Sequence, residues 1–300
     1  MKCWPSLARF GQRFSMPGGD LFYYDSAANA DSGFDPVGNA KSLLVLIHGL
    51  GDEADTWRHI FHPLAAAGYR VIAPDLPGFG RSNWKGRISI DVHSKAVIQL
   101  MAFAAAERPA VLVGNSLGAG VAELVAGSRP DLAKGLILIA GCFPFAKSAN
   151  RKFFLLGLPF LGRNWYRRFR TNHETAWKSL YSYYADLDSM GTADKDFLRE
   201  RLAARVESSN QERGYLSTLR SMSVFFMFGS KSVARKLKRF SGRILILCGE
   251  KDIIFPPEKA GLFRRLRLDA EFAVVAGAGH LPHQEEPENI VARILRFLRG

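Results

Sequence analysis

Cysteine is scarce in this 300-residue chain: Cys3, Cys142 and Cys248 lie far apart, have no metal-ligand spacing and cannot all pair with one another. That pattern excludes a disulfide framework and a cysteine-built metal cluster, and it leads us to expect a reducing compartment. Long apolar runs are missing too. The longest candidate, residues 153–161, is about half the length of a membrane span and contains Gly157 and Pro159. The first sixteen residues carry Lys2, Arg9 and Arg13 but no apolar core of the kind a secretory signal needs. A cytoplasmic protein is therefore expected, with any membrane contact peripheral. There is no internal repeat and no low-complexity tract.

Acidic residues are also in short supply, 28 Asp and Glu against 41 Lys and Arg, for a formal charge of +13. The imbalance is local. Residues 143–240 hold nineteen Lys and Arg but eight Asp and Glu, a net of +11. Such a surface attracts phosphates or other anions. No nucleic-acid module signature accompanies it, so anionic lipid or an anionic substrate is the better reading.

A hydrophobic content of 47% suffices for a large core, in one large α/β domain with an insertion or in two modest domains. Residues 13–24 read as a hairpin about Pro17-Gly18-Gly19-Asp20, forming a small edge ribbon, and residues 26–41 as a polar surface loop. Continuous apolar runs at 42–47, 70–74, 110–114, 135–140, 243–248 and 270–275 read as strands buried on both faces. Helical patterns at 55–67, 91–106, 117–126, 257–266 and 287–298 alternate with them, which predicts a parallel sheet covered on both sides. Between 143 and 240 the alternation stops and the pattern is helical, with aromatics among the basic residues. That interruption marks an insertion.

The run Ala110-Val111-Leu112-Val113-Gly114-Asn115-Ser116-Leu117-Gly118 ends in a serine between two glycines, at a turn from strand to helix. The two glycines remove side chains that would collide where strand and helix pass closely. A serine hydroxyl is a poor nucleophile at neutral pH and needs a base, and the base needs a partner to fix its tautomer. Asp252, after the strand ending at Cys248, and His280, after the strand ending at Val275, both fall at carboxyl ends of strands, where an open parallel sheet places its sites. Glu250 is close enough to rival Asp252. His283 reads as structural.

Five stretches carry a resemblance: His48-Gly49-Leu50-Gly51, Asp75-Leu76-Pro77-Gly78-Phe79-Gly80-Arg81-Ser82, Gly114-Asn115-Ser116-Leu117-Gly118, Gly249-Glu250-Lys251-Asp252 and Gly277-Ala278-Gly279-His280. In order and at strand ends, they resemble the α/β-hydrolase superfamily, cap-bearing serine hydrolases of esterase or lipase type. The resemblance implies a core of mainly parallel strands flanked by helices, made of residues 1–142 and 241–300, with an inserted helical cap at 143–240. It implies a Ser116, Asp252, His280 triad and an oxyanion hole formed by the backbone N–H groups of Leu50 and Leu117. Asp75 and His48 are implied to be loop braces. The expected substrate is a small-molecule ester with an apolar acyl group, its pocket including Asn115, Trp165 and Phe225, and no metal or organic cofactor is required. Activity should fall as acid protonates His280.

Alternatives on the same residues stay open: an acyltransferase or thioesterase, a ligand-binding receptor on the same scaffold, and a carbon-carbon bond hydrolase of ring-cleavage products. Asn115 resembles that last group, but Leu281-Pro282-His283 follows the histidine where those enzymes commonly have tryptophan. A serine nucleophile argues against dehalogenase and epoxide hydrolase chemistry. The stretch Arg163-Asn164-Trp165-Tyr166-Arg167-Arg168-Phe169-Arg170 is a candidate contact with an anionic membrane, its aromatics inserted and its arginines at phosphates.

Overall fold

Strands β1 (Gly11–Met16), β2 (Gly19–Asp25), β3 (Leu43–Ile47), β4 (Arg70–Pro74), β5 (Asn83–Trp84), β6 (Ala110–Asn115), β7 (Ala133–Ile139), β8 (Arg243–Gly249) and β9 (Glu271–Val275) make one sheet. The computed structural model describes residues 2–28, 41–106, 108–141 and 158–300. Strand order is β1-β2-β4-β3-β6-β7-β8-β9, with β5 beside β2. The pairings from β4 through β9 are parallel, and those of β1, β2 and β5 are antiparallel. The mainly parallel sheet expected from the apolar runs is present. The hairpin is more than a ribbon, because β2 pairs with β4 and extends the main sheet.

Period-two alternation sends Val45 and Ile47 to one face and Leu44 and Leu46 to the other. On the first face lie α2 (Ile90–Ala105) and α3 (Leu117–Ser128), which contribute Val97, Leu100, Val121 and Val125. The second face is covered by α1 (Phe61–Ala66) and, at the far end of the chain, the helix Pro287–Arg299, through Phe61, Leu64, Ile290, Ile294 and Phe297. Ser89 caps α2, its hydroxyl accepting from the Val92 N–H at 3.3 Å.

Between β7 and β8 the described residues form α4 (Pro159–Thr171), α5 (His173–Ser179), α6 (Thr192–Glu207), α7 (Ser209–Phe228) and α8 (Ser230–Arg239). Val233 and Leu237 of α8 join the buried cluster of α2 and α3. After β8 come α9 (Pro257–Leu262), α10 (Pro282–Glu285) and α11, the Pro287–Arg299 helix. Among the described residues no helix is long and apolar enough to cross a membrane.

One expected helix differs. Residues 55–67 form a 3-10 turn, Ala54–Trp57, and then the short α1. Pro63 lacks an N–H and fits only the first turn of a helix, so the helix restarts at Phe61. Asp55 turns inward, its carboxylate accepting from the Trp4 N–H at 2.7 Å and the Tyr24 hydroxyl at 2.8 Å. Cys3 and Cys248 are unpaired; Cys142 and most of the expected loop at 26–41 lie outside the described residues, as does the start of the insertion.

Candidate active site

Ser116 stands between β6 and α3 with φ 53° and ψ −112°, a strained conformation for a residue with a side chain. Close packing enforces it. A Cβ at Gly118 would lie 1.9 Å from the Ile47 carbonyl oxygen, and one at Gly114 would lie 2.2 Å from the Gly118 carbonyl oxygen. Neither obstruction is a flexible side chain, so only glycine fits. Leu117 is the first residue of α3, and its N–H is one of those a helix start leaves without an intrahelical acceptor.

At the end of β8 Asp252 is buried, and its carboxylate divides its oxygens between two tasks. Oδ1 accepts from the backbone N–H groups of Ile254 at 2.8 Å and Phe255 at 2.9 Å. Oδ2 accepts from His280 Nδ1 at 2.8 Å. With Nδ1 donating, Nε2 is left as the acceptor of the imidazole. Glu250, the rival acid, instead accepts from the Gly277 N–H at 3.0 Å and braces the loop that carries His280.

The His280 backbone is gripped from two sides. Its N–H donates to the Tyr183 carbonyl at 2.7 Å, and its carbonyl accepts from Asn115 Nδ2 at 3.2 Å. Asn115 is buried beside Ser116, so it ties the histidine loop to the serine turn. Tyr183 gave no sequence signal, because its contribution is a carbonyl supplied from nearly a hundred residues away.

His48 is fully buried in the loop after β3. Its Nδ1 donates to the Gly49 carbonyl at 2.8 Å and its Nε2 accepts from the Leu76 N–H at 2.9 Å. Burial lowers its pKa, and with both nitrogens engaged it braces the loop. Asp75 does the same for the next loop: it accepts from the Ala54 N–H at 2.6 Å, the Arg81 N–H at 2.7 Å and Arg81 Nε at 2.8 Å. The Arg81 guanidinium holds the Asp75 carboxyl below its ordinary value against the opposing effect of burial. His283 is buried against Trp57, with Nε2 2.8 Å from Thr56 Oγ1, and burial drives its pKa down to about 3.

Ser116, His280, Leu50 and Leu117 all line one cavity of about 870 Å³. Its far wall comes from the helices between β7 and β8, through Trp165, Tyr166 and Phe169 of α4, Leu198 and Leu202 of α6, and Tyr215, Met222 and Phe226 of α7. Asn115 and Trp165 line the cavity. Phe225 does not: it is half-buried, with its ring 6.4 Å from that of Phe226, which faces the cavity in its place. Residues one apart on a helix point about 100° away from each other, so a phase error of one residue exchanges them.

The aromatics expected to enter a membrane are turned inward as well. Trp165, Tyr166 and Phe169 share the cavity face of α4, while Arg163, Arg167 and Arg168 point outward. Exposed apolar side chains lie at the helix ends instead, at Leu158, Phe160 and Leu161 and at Val224, Met227 and Phe228. Among the described residues, no group of three or more His, Cys, Asp or Glu is placed to hold a metal ion.

The profile of the alpha/beta hydrolase family matches residues 44–293. A pimeloyl-[acyl-carrier protein] methyl ester esterase from Pectobacterium carotovorum is 27% identical over 273 residues, covering 88% of this chain and 96% of that protein. The dihydrolipoyllysine-residue acetyltransferase component of the acetoin cleaving system of Pseudomonas putida is 28% identical over 270 residues, and the match spans 89% of this chain but 66% of that protein. In fold, the chain is similar to a thermophilic esterase from Thermogutta terrifontis, with TM-score 0.73, 23% identity, and coverage of 96% and 98% of the two chains.

Proposed function

This chain belongs to the alpha/beta hydrolase family, and from that premise we propose that it cleaves a carboxylic ester through an acyl-serine intermediate. The observation that carries the reading is His280, held through Nδ1 by Asp252 at 2.8 Å on the wall of the cavity that Ser116 lines. Ser116 Oγ attacks the ester carbonyl and passes its proton to His280 Nε2. The negative charge that develops on the carbonyl oxygen is received by the N–H groups of Leu50 and Leu117. Asp252 stabilises the imidazolium, which then protonates the departing alcohol. Water, deprotonated by His280, attacks the acyl-serine and releases the acid.

Residues 143–240 act as the cap in this reading. Their inward-facing rings favour an apolar acyl group, and the cavity volume suits a substrate of moderate size. Similarity to an acetyltransferase component favours one second reading, transfer of the acyl group to an acceptor other than water, which competition between acceptor and water would measure. The outward arginines of α4 and exposed Phe160 and Phe228 support peripheral contact with an anionic lipid surface.

Replacing Ser116 tests the assignment. Ser116→Ala should abolish turnover of short-chain aryl esters while the circular dichroism spectrum and melting temperature stay near those of the parent. Retained turnover would overturn the proposal.

A further inference from the structure

The loop after β3 carries Leu50, whose N–H the proposed chemistry assigns to the oxyanion hole. Its next three residues are bonded by side chains of the inserted helices as well as by the loop itself. Arg205 Nη1, from α6, donates to the Gly51 carbonyl at 3.1 Å and to Asp52 Oδ1 at 2.7 Å. Gln211 Nε2, from α7, donates to the same Gly51 carbonyl at 2.9 Å. Arg201 Nε donates to Glu53 Oε1 at 2.7 Å, and Nη2 of the same guanidinium donates to Oε2. Gln211 spans two loops, since its Oε1 accepts from the Gly80 N–H at 2.9 Å.

These groups are well sheltered from water: Arg201, Arg205 and Gln211 are 2%, 6% and 3% exposed. Two guanidinium groups face two carboxylates, and in a low-dielectric site such bonds are directional and costly to break. The loop's own bonds lie mostly on the Thr56 side: the Thr56 N–H donates to the Glu53 carbonyl at 3.1 Å and the Thr56 side chain bonds Asp52. Nearer Leu50, the backbone bond from the Asp52 N–H to the Gly49 carbonyl is long at 3.3 Å. Gly51 has φ +78°, a left-handed conformation that favours glycine, and a Cβ there would stand 3.1 Å from the Tyr215 ring of α7.

Resting on the serine-hydrolase reading, we propose that Arg205 and Gln211 are positioning residues: by clamping the Gly51 carbonyl they aim the Leu50 N–H at the acyl oxygen. The cap then completes half of the oxyanion hole as well as roofing the pocket. An oxyanion donor stabilises the transition state more than the bound ester. Loosening the clamp should therefore lower kcat and leave KM nearly unchanged. A residue that merely shaped the pocket would move KM.

The test compares the parent with Gln211→Met, which removes both amide contacts at similar volume, and with Arg205→Lys, which keeps the charge but, being one atom shorter, withdraws the single nitrogen that donates to both Gly51 and Asp52. Each is assayed on an aryl ester and on its thiono analogue, whose carbonyl sulfur is a weaker hydrogen-bond acceptor. For each variant kcat should fall about tenfold or more at near-constant KM, and the preference for oxygen ester over thiono ester should narrow. Unchanged kcat, an effect confined to KM, or a fall with an unaltered oxygen-to-sulfur ratio would overturn the proposal. Should Gln211→Met fail to fold, Arg205→Lys decides on the same criteria. If the parent hydrolyses neither ester, it is the serine-hydrolase reading that fails.

Discussion

Asp252 holds His280 by a single 2.8 Å contact, and its other oxygen is anchored by two backbone N–H groups of its own loop. The carboxylate is thus oriented by main chain before it orients the imidazole. Asp252→Asn can keep the anchoring through its amide oxygen while losing the negative charge and presenting an N–H to His280 Nδ1. In the proposed reaction, kcat should drop on the order of 10³- to 10⁴-fold with the fold retained. Glu250→Gln, at the rival acid, should change kcat by less than a few-fold. Steady-state kinetics on the two variants checks both, and the reverse ranking would move the acid to Glu250.

The serine turn makes a prediction about stability. Gly118→Ala would drive a methyl group to within 1.9 Å of the Ile47 carbonyl, whereas a Cβ at Gly261, in α9, meets nothing within 4 Å. Thermal melts should show Gly118→Ala lowered by many degrees or failing to fold. Gly261→Ala should be neutral or gain up to about 1 kcal/mol from helix propensity. Equal melting temperatures would contradict the packing described for the turn.

His283 gives a pH dependence that can be isolated. Its folded pKa is depressed to about 3 from the ordinary histidine value of 6.5, with burial as the first cause. Between those values the unfolded chain binds a proton that the folded chain does not. Folding therefore loses stability as pH falls through that window, at about 1.4 kcal/mol per unit for this group. His283→Gln removes that loss, so the urea-unfolding difference between parent and variant should shift in favour of the variant from pH 7 to pH 5. A pH-independent difference would show that His283 is not held neutral.

The strand-and-helix alternation is legible because each buried strand is a short apolar run, and Ser116, Asp252 and His280 stand out as candidates because each follows the end of one. The rest depends on distance along the chain. Tyr183, Arg205 and Gln211 act through bonds to residues about a hundred or more positions away, and nothing in their local sequence announces those partners. Phe225 and Phe226 are adjacent phenylalanines, and only the rotation of α7 decides which meets the cavity. The 55–67 segment has helical apolar spacing, but Pro63 and the inward pull on Asp55 outweigh it.

The proposed membrane contact separates into two parts. Phe160 is 84% exposed and Phe228 79% exposed, while basic Arg163, Arg167 and Arg168 lie along the outer side of α4. Sedimentation with liposomes should show binding that rises with anionic lipid content, weakens with salt and falls in Phe160→Ser. Equal partitioning onto neutral and anionic vesicles would remove the electrostatic part.

The most direct measurement is covalent labelling of the intact protein with a fluorophosphonate, followed by peptide mapping. The expected result is one label, on Ser116, absent from Ser116→Ala and blocked by competing ester. No label on the folded protein, or a label elsewhere that survives in Ser116→Ala, would contradict the assignment of Ser116 as the nucleophile.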